Sequence, residues 1–385
     1  MQLLEFFDGA LAAVDPEPLT RDALTGTNGG PATVVAIGKA AAAMCRGAAQ
    51  ALHDIEGICV SDADDDVPAG VHLVVGDHPL PGQRSLAAGR KLIEVARQAN
   101  GRLIALISGG GSALCEQAIE GVGGDFISHV SRALLARGAP ISHINLVRRH
   151  LSSLKGGGLA RAANVPIETY AISDVCGSDP SLIASGPTIW SPRDPGLAIT
   201  MMETYGIEVP GSVAAALREA PDEPVASSLI EVLADGRTAA EGLATRANAR
   251  DVPARVLDWW VDGPVAEALD RFFAESGPGI SIAAGEPVVA VDGGGTGGRN
   301  THAALMAAAR LRGGEAIFAA LATDGRDGSS ESAGAIVDGS TISRGGDPSH
   351  HLARSDSAAY LETTNDLIVT GRTGTNVSDL WMLWR

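Results

Sequence analysis

The stretch 33-TVVAIGKAAAAMCRGAAQAL-52 decides the fold class. It begins with a β-branched and apolar run, Thr33–Ile37, passes through a glycine and a lysine, and ends in an alanine-rich run, Ala40–Leu52. The first run predicts a buried strand and the second a helix, so the stretch forms one strand-turn-helix unit. Comparable units recur along the chain, which predicts an α/β fold around a largely parallel sheet.

Other apolar and alanine-rich runs extend this pattern and suggest two domains. A proline-rich segment at Pro221–Ala226 is typical of a domain boundary, which predicts domains at residues 1–225 and 226–385. A proline and glycine cluster at Ser276–Ile280 is either the start of a subdomain, about 280–385, or an ordinary loop. Further strands are predicted at Val71–Val75, Leu103–Ile107, Ile167–Ser173, Leu229–Leu233, Val256–Trp259, Val288–Val291, Ala316–Leu321 and Leu367–Val369, and further helices at Arg84–Gln98, Gly236–Asn248 and Asn300–Leu311.

Charge and composition exclude two classes of partner. The chain has 29 basic and 46 acidic side chains and a formal net charge of −17, whereas nucleic-acid binding needs clustered Lys and Arg. No uncharged apolar run approaches the roughly 20 residues that span a bilayer, and the acidic N-terminus lacks the features of a signal peptide. Four widely spaced cysteines fit a reducing compartment. We therefore expect a cytoplasmic protein that binds neither nucleic acid nor membrane.

Several turns after predicted strands are rich in glycine and polar residues. In open α/β sheets ligands bind beyond the carboxyl ends of the strands, so these turns are the candidate site. The turn Ser108–Ser112, SGGGS, either presents backbone amides to an anion or is a tight structural turn. Lys39 is either a phosphate ligand or a surface lysine in the first turn of a helix.

A second glycine-rich segment, DGGGTGGRN at Asp292–Asn300, contains Gly293, Gly295 and Gly298 at GxGxxG spacing. Because it follows a predicted strand and precedes a helix, it matches the dinucleotide fingerprint and keeps a reductase in consideration. In a segment with this many glycines, the same spacing also arises by chance. Arg299 is expected to bind an anion, with capping of the helix or a salt bridge as the alternative.

Other polar residues in these turns have two interpretations each. His78 either orients a substrate or is a hydrogen-bonded structural histidine. Four aspartates either hold Mg²⁺ or accept a hydroxyl proton, or else cap helices and turns: Asp174, Asp179, Asp324 and Asp327. The sequence contains no GxxxxGK[ST], kinase HRD and DFG pair, GxSxG or HExxH, which disfavours P-loop, serine-hydrolase and zinc-protease chemistry.

Taken in order, nine motifs resemble the glycerate 2-kinase family whose C-terminal part is the MOFRL domain. The resemblance covers Pro31–Thr188 and Gly285–Leu380. It implies an N-terminal Rossmann-like parallel sheet with helices on both faces, a smaller C-terminal α/β domain, and a cleft between them. The motifs are VVAIGKAA, GDHPLPG, LISGGGSAL, INLVRRHLSSLKGGGLA, ISDVCGSDPSLIASGPT, GGRN, TDGRDG, AGAIVDGS and TGTNVSDL.

The resemblance also implies an activity and residue roles. The expected reaction transfers the γ-phosphoryl group of ATP, with Mg²⁺, to the 2-hydroxyl of D-glycerate or a related hydroxy acid, giving 2-phosphoglycerate. Lys39 and Arg299 would be the catalytic cations, and Asp174 the proton acceptor or a metal contact. The metal ligands are expected among Asp174, Asp179 and Asp327. The residues expected to bind substrate or phosphate are Ser108, Gly109, Gly110, Gly111, Ser112, His78, Gly297, Gly298, Asn300, Asp324, Arg326, Arg372 and Asn376.

The chain departs from the family pattern near the expected site. It has Thr301 and His302 where the family has GGRNQE, and Arg372 where the family has GPTGTN. The segment Ser329–Ser332 also differs. These differences bear on the acceptor acid more than on the reaction type. An NAD(P)H-dependent hydroxypyruvate reductase and a non-catalytic protein that binds small anions remain the alternatives.

Overall fold

The structure is a computed structural model that describes residues 2–27, 30–225, 227–291 and 293–385. The predicted boundary segment and the predicted glycine-rich segment each include one residue outside these ranges, Ala226 and Asp292. The described residues form two compact units, each with a six-stranded sheet. We call them the parallel-sheet unit, Pro16–Ser173 with Gly177–Leu233, and the mixed-sheet unit, Met1–Asp15 with Asp174–Cys176 and Ala234–Arg385.

The sheet of the parallel-sheet unit has the strand order β3-β2-β1-β4-β5-β6. This is the strand order of the Rossmann fold, in which the direction of winding reverses beside the first strand. The pairings β2–β3, β1–β2, β1–β4 and β4–β5 are all parallel, which confirms the predicted Rossmann-like sheet. Its strands are β1 (Ala32–Ile37), β2 (Ile55–Ser61), β3 (Val71–Val75), β4 (Arg102–Ser108), β5 (Ile167–Ile172) and β6 (Leu229–Ala234).

Burial explains why the central strands of this sheet read as uninterrupted apolar runs. All six residues of β1 are buried, as are six of the seven residues of β4. A strand covered by helices on both faces has no solvent side, so its sequence does not alternate between polar and apolar residues. The turns after β1 and β4 therefore lie side by side at one edge of the sheet.

The second sheet, in the mixed-sheet unit, has the order β11-β10-β9-β12-β8-β7. Only the β7–β8 pairing is parallel, and the other four pairings are antiparallel. The smaller α/β domain is thus confirmed, with a mixed sheet. Its strands are β7 (Ala254–Val256), β8 (Ile280–Gly285), β9 (Ile317–Ala322), β10 (Gly334–Asp338), β11 (Leu367–Ile368) and β12 (Asp379–Trp384).

Three aromatic side chains form the centre of the mixed-sheet core. The rings of Phe272, Phe318 and Trp381 contact one another edge to face, with centroids 5.7–6.0 Å apart. All three side chains are fully buried. Edge-to-face pairs at this distance add about 0.5–1.5 kcal/mol each beyond the burial of their surface. These three aromatic side chains therefore stabilise the core of the mixed-sheet unit.

The described residues form sixteen α-helices, and four of the predicted helices lie within two residues of the observed ones. Two short 3₁₀ turns lie at Cys176–Ser178 and Ile183–Ser185. None of the helices in the described ranges has the length and apolar character needed to cross a bilayer. The helices are α1 (Gln2–Ala13), α2 (Pro16–Leu24), α3 (Ala41–Ala51), α4 (Gln83–Gln98), α5 (Gly111–Leu114), α6 (Gly124–Ala136), α7 (Ile141–Leu151), α8 (Gly158–Ala162), α9 (Pro195–Thr204), α10 (Gly211–Glu219), α11 (Gly236–Asn248), α12 (Val265–Glu275), α13 (Arg299–Leu311), α14 (Thr341–Gly345), α15 (Ser349–Ala353) and α16 (Ser357–Thr363).

One predicted strand is wrong and another is displaced. Val288–Val291 forms no strand: Val288 makes a single isolated bridge to Pro264, and Val288 and Val291 are 60% and 72% exposed. The strand predicted at Val256–Trp259 lies instead at β7. At Val288–Val291, β-branched residues in a loop gave the same local signal as a buried strand, and at Val256–Trp259 the apolar Leu257 and Trp259 extended that signal beyond the end of β7.

Helix α1 packs within the mixed-sheet unit, although the predicted division groups it with residues up to 225. Glycines permit its close approach to α11: a Cβ on Gly9 would lie 2.6 Å from the Cβ of Arg246, and one on Gly242 would lie 2.3 Å from the Cβ of Ala13. The Phe6 ring also lies 6.4 Å from that of Trp384. The N-terminal helix therefore belongs to the same core as the C-terminal strand.

Histidine 150, near the end of α7, predicts a pH dependence of stability. Its Nδ1 lies 2.7 Å from the Leu146 carbonyl oxygen, and its Nε2 lies 2.7 Å from the backbone nitrogen of Asp194. A carbonyl only accepts and an amide only donates, so the ring is neutral, with its proton on Nδ1. Burial lowers the pKa of His150.

Because the folded pKa lies below the unfolded value of about 6.5, the unfolded chain binds the extra proton. The free energy of unfolding should therefore rise with pH through the window just below that value. His150→Gln should flatten this slope, as measured by urea unfolding from about pH 5 to pH 7. The exposed His53→Gln is the control, and equal slopes in both variants would contradict the assignment.

Candidate active site

Lys39 and the turn Ser108–Ser112 lie together in the parallel-sheet unit, at the ends of β1 and β4. The Lys39 amide donates to the Gly109 carbonyl at 3.0 Å, and the buried Ser108 Oγ accepts from the Ala40 amide at 3.0 Å. The Lys39 Cγ lies 3.2 Å from where a Cβ on Gly110 would stand. The lysine stem thus lies along the glycine turn, which requires glycine there because Gly110 has φ +81°.

A second turn of unusual backbone geometry supports the glycine turn. The hydroxyl oxygens of Ser112 and Ser185 lie 2.7 Å apart and share a hydrogen bond. A Cβ on Gly111 would lie 2.7 Å from the Cβ of Ala184. Ala184 and Ser185 have φ values of +50° and +63°, a left-handed conformation that costs non-glycine residues about 1–2 kcal/mol each. Strain of this kind clusters at functional sites. Ser185 has no local sequence signal that predicts this contact.

The segment containing His78 begins beside the same turn. A Cβ on Gly76 would lie 2.2 Å from the Leu114 carbonyl oxygen, so this residue must be glycine for the segment to pass. His78 itself is exposed. Its neighbour Asp77 accepts hydrogen bonds from the backbone and Nε of Arg84, which anchors the segment to the start of α4.

A buried ion pair joins the two loops next to this site. Lys155 Nζ donates to Glu116 Oε2, and the two side chains are 1% and 0% exposed. Glu116 follows α5 by two residues, and Lys155 precedes Gly156, whose amide donates to the Ser185 carbonyl at 3.0 Å. Burial also raises the pKa of the adjacent Cys115 thiol to about 12. The thiol is thus inert, and the ion pair holds the loops in place.

Arg299 lies in the mixed-sheet unit, where its guanidinium binds two carboxylates. Nε and Nη2 donate to the two oxygens of Asp379, and Nη1 donates to Glu286 Oε1 at 2.7 Å. Although burial opposes the charged form, these carboxylates raise the pKa of Arg299. Both carboxylates lie at the ends of strands that pair with each other, β8 and β12. The arginine is held rigidly, with 31% of its side chain exposed.

Asp327 caps α13. Its Oδ1 accepts the Asn300 amide at 3.0 Å, and its Oδ2 accepts the Thr301 amide at 2.7 Å and the Thr301 hydroxyl at 2.8 Å. Burial raises the pKa of this carboxyl. The chain's own carboxylate thus occupies the helix N-terminus at which a Rossmann fingerprint binds pyrophosphate. Gly298 lies so close that its Cβ would be 2.3 Å from Asp327 Oδ1.

Two side chains on α13 are buried with unused polar atoms. Asn300 is fully buried, and neither the oxygen nor the nitrogen of its side-chain amide makes a hydrogen bond within the described residues. The Nδ1 atom of His302 is buried in the same way, and burial lowers the pKa of this histidine. Ahead of the helix, the Gly297 amide donates to Ser329 Oγ at 3.2 Å, within the segment that departs from the family pattern.

Asp174 and Asn376, which were predicted separately, lie together in the mixed-sheet unit. Asn376 Nδ2 donates to Asp174 Oδ2 at 3.3 Å, and Ser378 Oγ donates to the Asp174 carbonyl at 2.8 Å. The Thr323 hydroxyl accepts the Val377 amide at 2.9 Å. The segment before β12 thus holds Asp174, and the turn after β9 in turn holds that segment.

The remaining predicted residues lie in surface turns. Asp324 Oδ1 accepts the Arg326 amide at 3.0 Å, and Arg326 pairs with Glu331 at 3.3 Å. Arg372 is exposed and follows Gly371, whose carbonyl lies 1.9 Å from where a Cβ on Gly325 would stand. Asp179 Oδ1 accepts the Ser181 amide at 2.9 Å, so it stabilises its own turn.

Carboxylates for a metal ion are dispersed. Within the described residues, no three His, Cys, Asp or Glu side chains lie close enough together to hold an ion among themselves. Mg²⁺ in phosphoryl-transfer enzymes is commonly held by one or two carboxylates together with substrate phosphates, so single carboxylates are compatible with it. Asp327 is a poor candidate for a metal ligand, because both of its oxygens accept hydrogen bonds from α13.

The structure therefore divides the predicted residues between the two units: Lys39 lies with the turn Ser108–Ser112 in one, and Asp174 lies with Asn376 in the other. In both units, these residues depend on partners that were not predicted from the sequence. Asp379 and Glu286 were missed although they flank strands, because an acidic residue at a strand end has no local signature of an ion pair. The parallel-sheet unit holds Lys39, Ser108, Gly109, Gly110, Gly111, Ser112, His78 and Asp179, and the mixed-sheet unit holds Arg299, Asp174, Gly297, Gly298, Asn300, Asp324, Arg326, Asp327, Arg372 and Asn376.

Comparison with known proteins decides the family. A family model described as a domain of unknown function, DUF4147, matches residues 2–218, and the MOFRL family model matches residues 279–379. The Thermotoga maritima protein named D-glycerate 2-kinase is 33% identical over 98% of this chain and 96% of its own length. The chain belongs to the glycerate 2-kinase family with a C-terminal MOFRL domain. The resemblance stated from the motifs is thereby confirmed.

Two other relatives complete the comparison with this family. A crystal structure of glycerate kinase from Thermotoga maritima has a TM-score of 0.87 and 32% identity, covering 100% of this chain and 98% of that one. An Agrobacterium vitis protein named putative hydroxypyruvate reductase is 36% identical over 98% of this chain and 92% of its own length. Both names of the family thus occur among similar proteins, so the geometry of the site has to decide between them.

Proposed function

We propose that this chain is a glycerate 2-kinase, which transfers the γ-phosphoryl group of ATP to the 2-hydroxyl of D-glycerate and gives 2-phosphoglycerate. The observation that carries the proposal is the placement of Lys39 along the glycine turn Ser108–Ser112, at adjacent strand ends of a Rossmann-like sheet. Ligands of such sheets bind at this edge. A lysine beside a glycine turn, where the backbone can approach closely, suits the charge of a phosphate chain.

The reaction requires positioning, neutralisation of charge and one proton transfer. The 2-hydroxyl oxygen attacks the γ-phosphorus, the bond to the bridging oxygen of ADP breaks, and the hydroxyl proton passes to a base. We assign that base to Asp174, whose carboxylate is oriented by Asn376. Lys39 and Arg299 are the proposed cations for the transferred group. Bound Mg²⁺ would supply additional neutralisation of the phosphates, and Asp174 is also the carboxylate that would hold it.

The reductase alternative receives no support from the glycine segment on which it rested. The predicted strand before that segment is absent at Val288–Val291, and Asp327 occupies the amides of α13 that a dinucleotide would need. A non-catalytic role fits poorly with a lysine aligned along a strand-end turn. The cytoplasmic location is part of this proposal, as are ATP and Mg²⁺.

The test is the identity of the product. Purified protein with ATP, Mg²⁺ and D-glycerate should give 2-phosphoglycerate by ³¹P NMR, and the same reaction with a panel of larger hydroxy acids should reveal the preferred acceptor. The exposed Arg372 and the half-buried His302 are the proposed determinants of that preference. Formation of 3-phosphoglycerate alone, or of no phosphorylated acid, would refute the proposal. Saturable NADH oxidation with hydroxypyruvate would favour the reductase.

A further inference from the structure

Three arginines outside the groups described above meet in the parallel-sheet unit. Arg149 lies near the end of α7, Arg161 lies on α8, and Arg193 precedes α9. Gly156 and Gly157 bring these segments together: Arg149 Cγ lies 3.0 Å from a Cβ on Gly156, and the Trp190 Cα lies 2.8 Å from a Cβ on Gly157. We call Arg149, Arg161 and Arg193 the arginine cluster.

The arginine cluster has more donors than acceptors. The Nε atoms of all three arginines are buried and make no hydrogen bond within the described residues. The indole nitrogen of Trp190, on the segment beside Gly157, is in the same condition. All four atoms are N–H donors, and none can be satisfied by another donor. A buried donor without an acceptor is costly, so this arrangement calls for an acceptor from outside the chain.

Charge leads to the same conclusion. Asp222 acts on both Arg149 and Arg193, and its Oδ1 accepts the Arg193 amide at 3.0 Å. Arg161 donates to the backbone carbonyl of Glu223 at 2.8 Å, which supplies no full charge. The carboxylate of Asp222 is thus shared by two guanidinium groups, those of Arg149 and Arg193. Burial lowers the pKa of Arg149 and of Arg193, which reflects incomplete compensation.

The arginine cluster is accessible from solvent, and its charge selects an anion as the ligand. Each arginine keeps part of its side chain exposed, so an anion can enter from solvent. A guanidinium does not lose its proton in proteins, so the positive charge persists and needs an anion. The charges of Arg149 and Arg161 both act on Arg193, so the three guanidinium groups are neighbours. Neighbouring guanidinium groups suit a tetrahedral phosphate, whose oxygens accept paired N–H bonds. The excess of positive charge is notable in a chain with a net charge of −17.

We propose that the arginine cluster, Arg149 with Arg161 and Arg193, is a binding site for a phosphate group. The phosphate comes either from a nucleotide or from a phosphorylated acid, and both sources present the same chemistry to the cluster. The site stands on the geometry of the cluster and not on the kinase reaction proposed above. It adds to the predicted site residues, none of which lies in α7 or α8.

Isothermal titration of the full chain with inorganic phosphate tests the proposal, at constant ionic strength. Arg149→Met and Arg193→Met should each weaken phosphate binding by about tenfold or more, and Arg149→Lys should recover only part of it because lysine lacks the paired donors. Arg90→Met, which removes an exposed arginine from α4, should bind phosphate like the unchanged protein. Thermal unfolding should show that the variants remain folded.

Two further titrations identify the source of the phosphate. Weaker binding of ADP alone in the variants would assign the site to a nucleotide, and weaker binding of 2-phosphoglycerate alone would assign it to the acid. Arg193 also donates to the His150 carbonyl, and Arg193→Met removes this hydrogen bond as well. If that variant unfolds for this reason alone, the test rests on phosphate binding by Arg149→Met. Phosphate binding that is absent, or unchanged in folded Arg149→Met, would overturn the proposal. Turnover is measured separately, so a failure of the kinase assignment would leave this result interpretable.

Discussion

Lys39→Met is expected to lower kcat for glycerate phosphorylation by about 10²-fold or more, because it removes a fixed charge from the transferring phosphate. Methionine keeps the aliphatic stem that lies along Gly110, and the residue is in a polar turn outside the core. The free energy of unfolding should therefore change by less than about 1 kcal/mol. Steady-state kinetics and urea unfolding of the same preparation measure the two quantities.

Lys91→Met is the matched control, because Lys91 is an exposed lysine on α4 of the same unit. Its kcat should equal that of the unchanged protein. A near-normal kcat in folded Lys39→Met would remove Lys39 from the mechanism. Arg299→Ala is a less selective test than the sequence indicates, since it leaves the Asp379 carboxylate, 1% exposed, without its ion-pair partner. Loss of activity there would include a loss of stability.

Glu116→Gln is expected to destabilise the protein by about 3–5 kcal/mol, because it leaves a buried cation without a carboxylate. Lys155, 1% exposed on its side chain, donates to Glu116, and the buried Arg148 is also stabilised by this carboxylate. Lys155→Met should cost less, since Arg148 still compensates part of the charge that remains on Glu116. Urea unfolding gives both values.

The double variant Glu116→Leu with Lys155→Met controls for the ion pair itself. Removing both partners leaves neither charge of the pair buried alone, so the double variant should be more stable than Glu116→Gln. A double variant at least as unstable as the sum of the two single changes would show that the packing of these side chains, and not their charge, holds the loops together.

The sequence was sufficient for those parts of the fold that depend on local signals. The strand at Thr33–Ile37 and the helix after it were predicted almost to the residue, because the apolar run is buried on both faces and the alanines follow at once. Strands β2, β8, β10 and β12 were not predicted. In β2 a glycine interrupts the apolar run, and β12, DLWMLW, is a short run at the end of the chain.

The site was predictable in its residues but not in its pairings. Lys39 and Gly110 follow strands that pair with each other, so topology alone brings them together. The partners of Arg299 and of Lys155 lie 80 and 39 residues away in sequence, and acidic residues at those positions give no local indication of burial. The capping of α13 by Asp327 was among the interpretations given for such aspartates, and only tertiary structure selects it.

The packing of α1 against α11 has a consequence for the order in which the chain folds during synthesis. Glu5 on α1 binds Arg246, 241 residues later, and the buried face of α1 contains Leu3, Phe6 and Phe7. At about 5–20 residues per second, the helix leaves the ribosome tens of seconds before its partner. For that interval its apolar face has no native surface to cover it, so α1 reaches its final position only after α11 has been made.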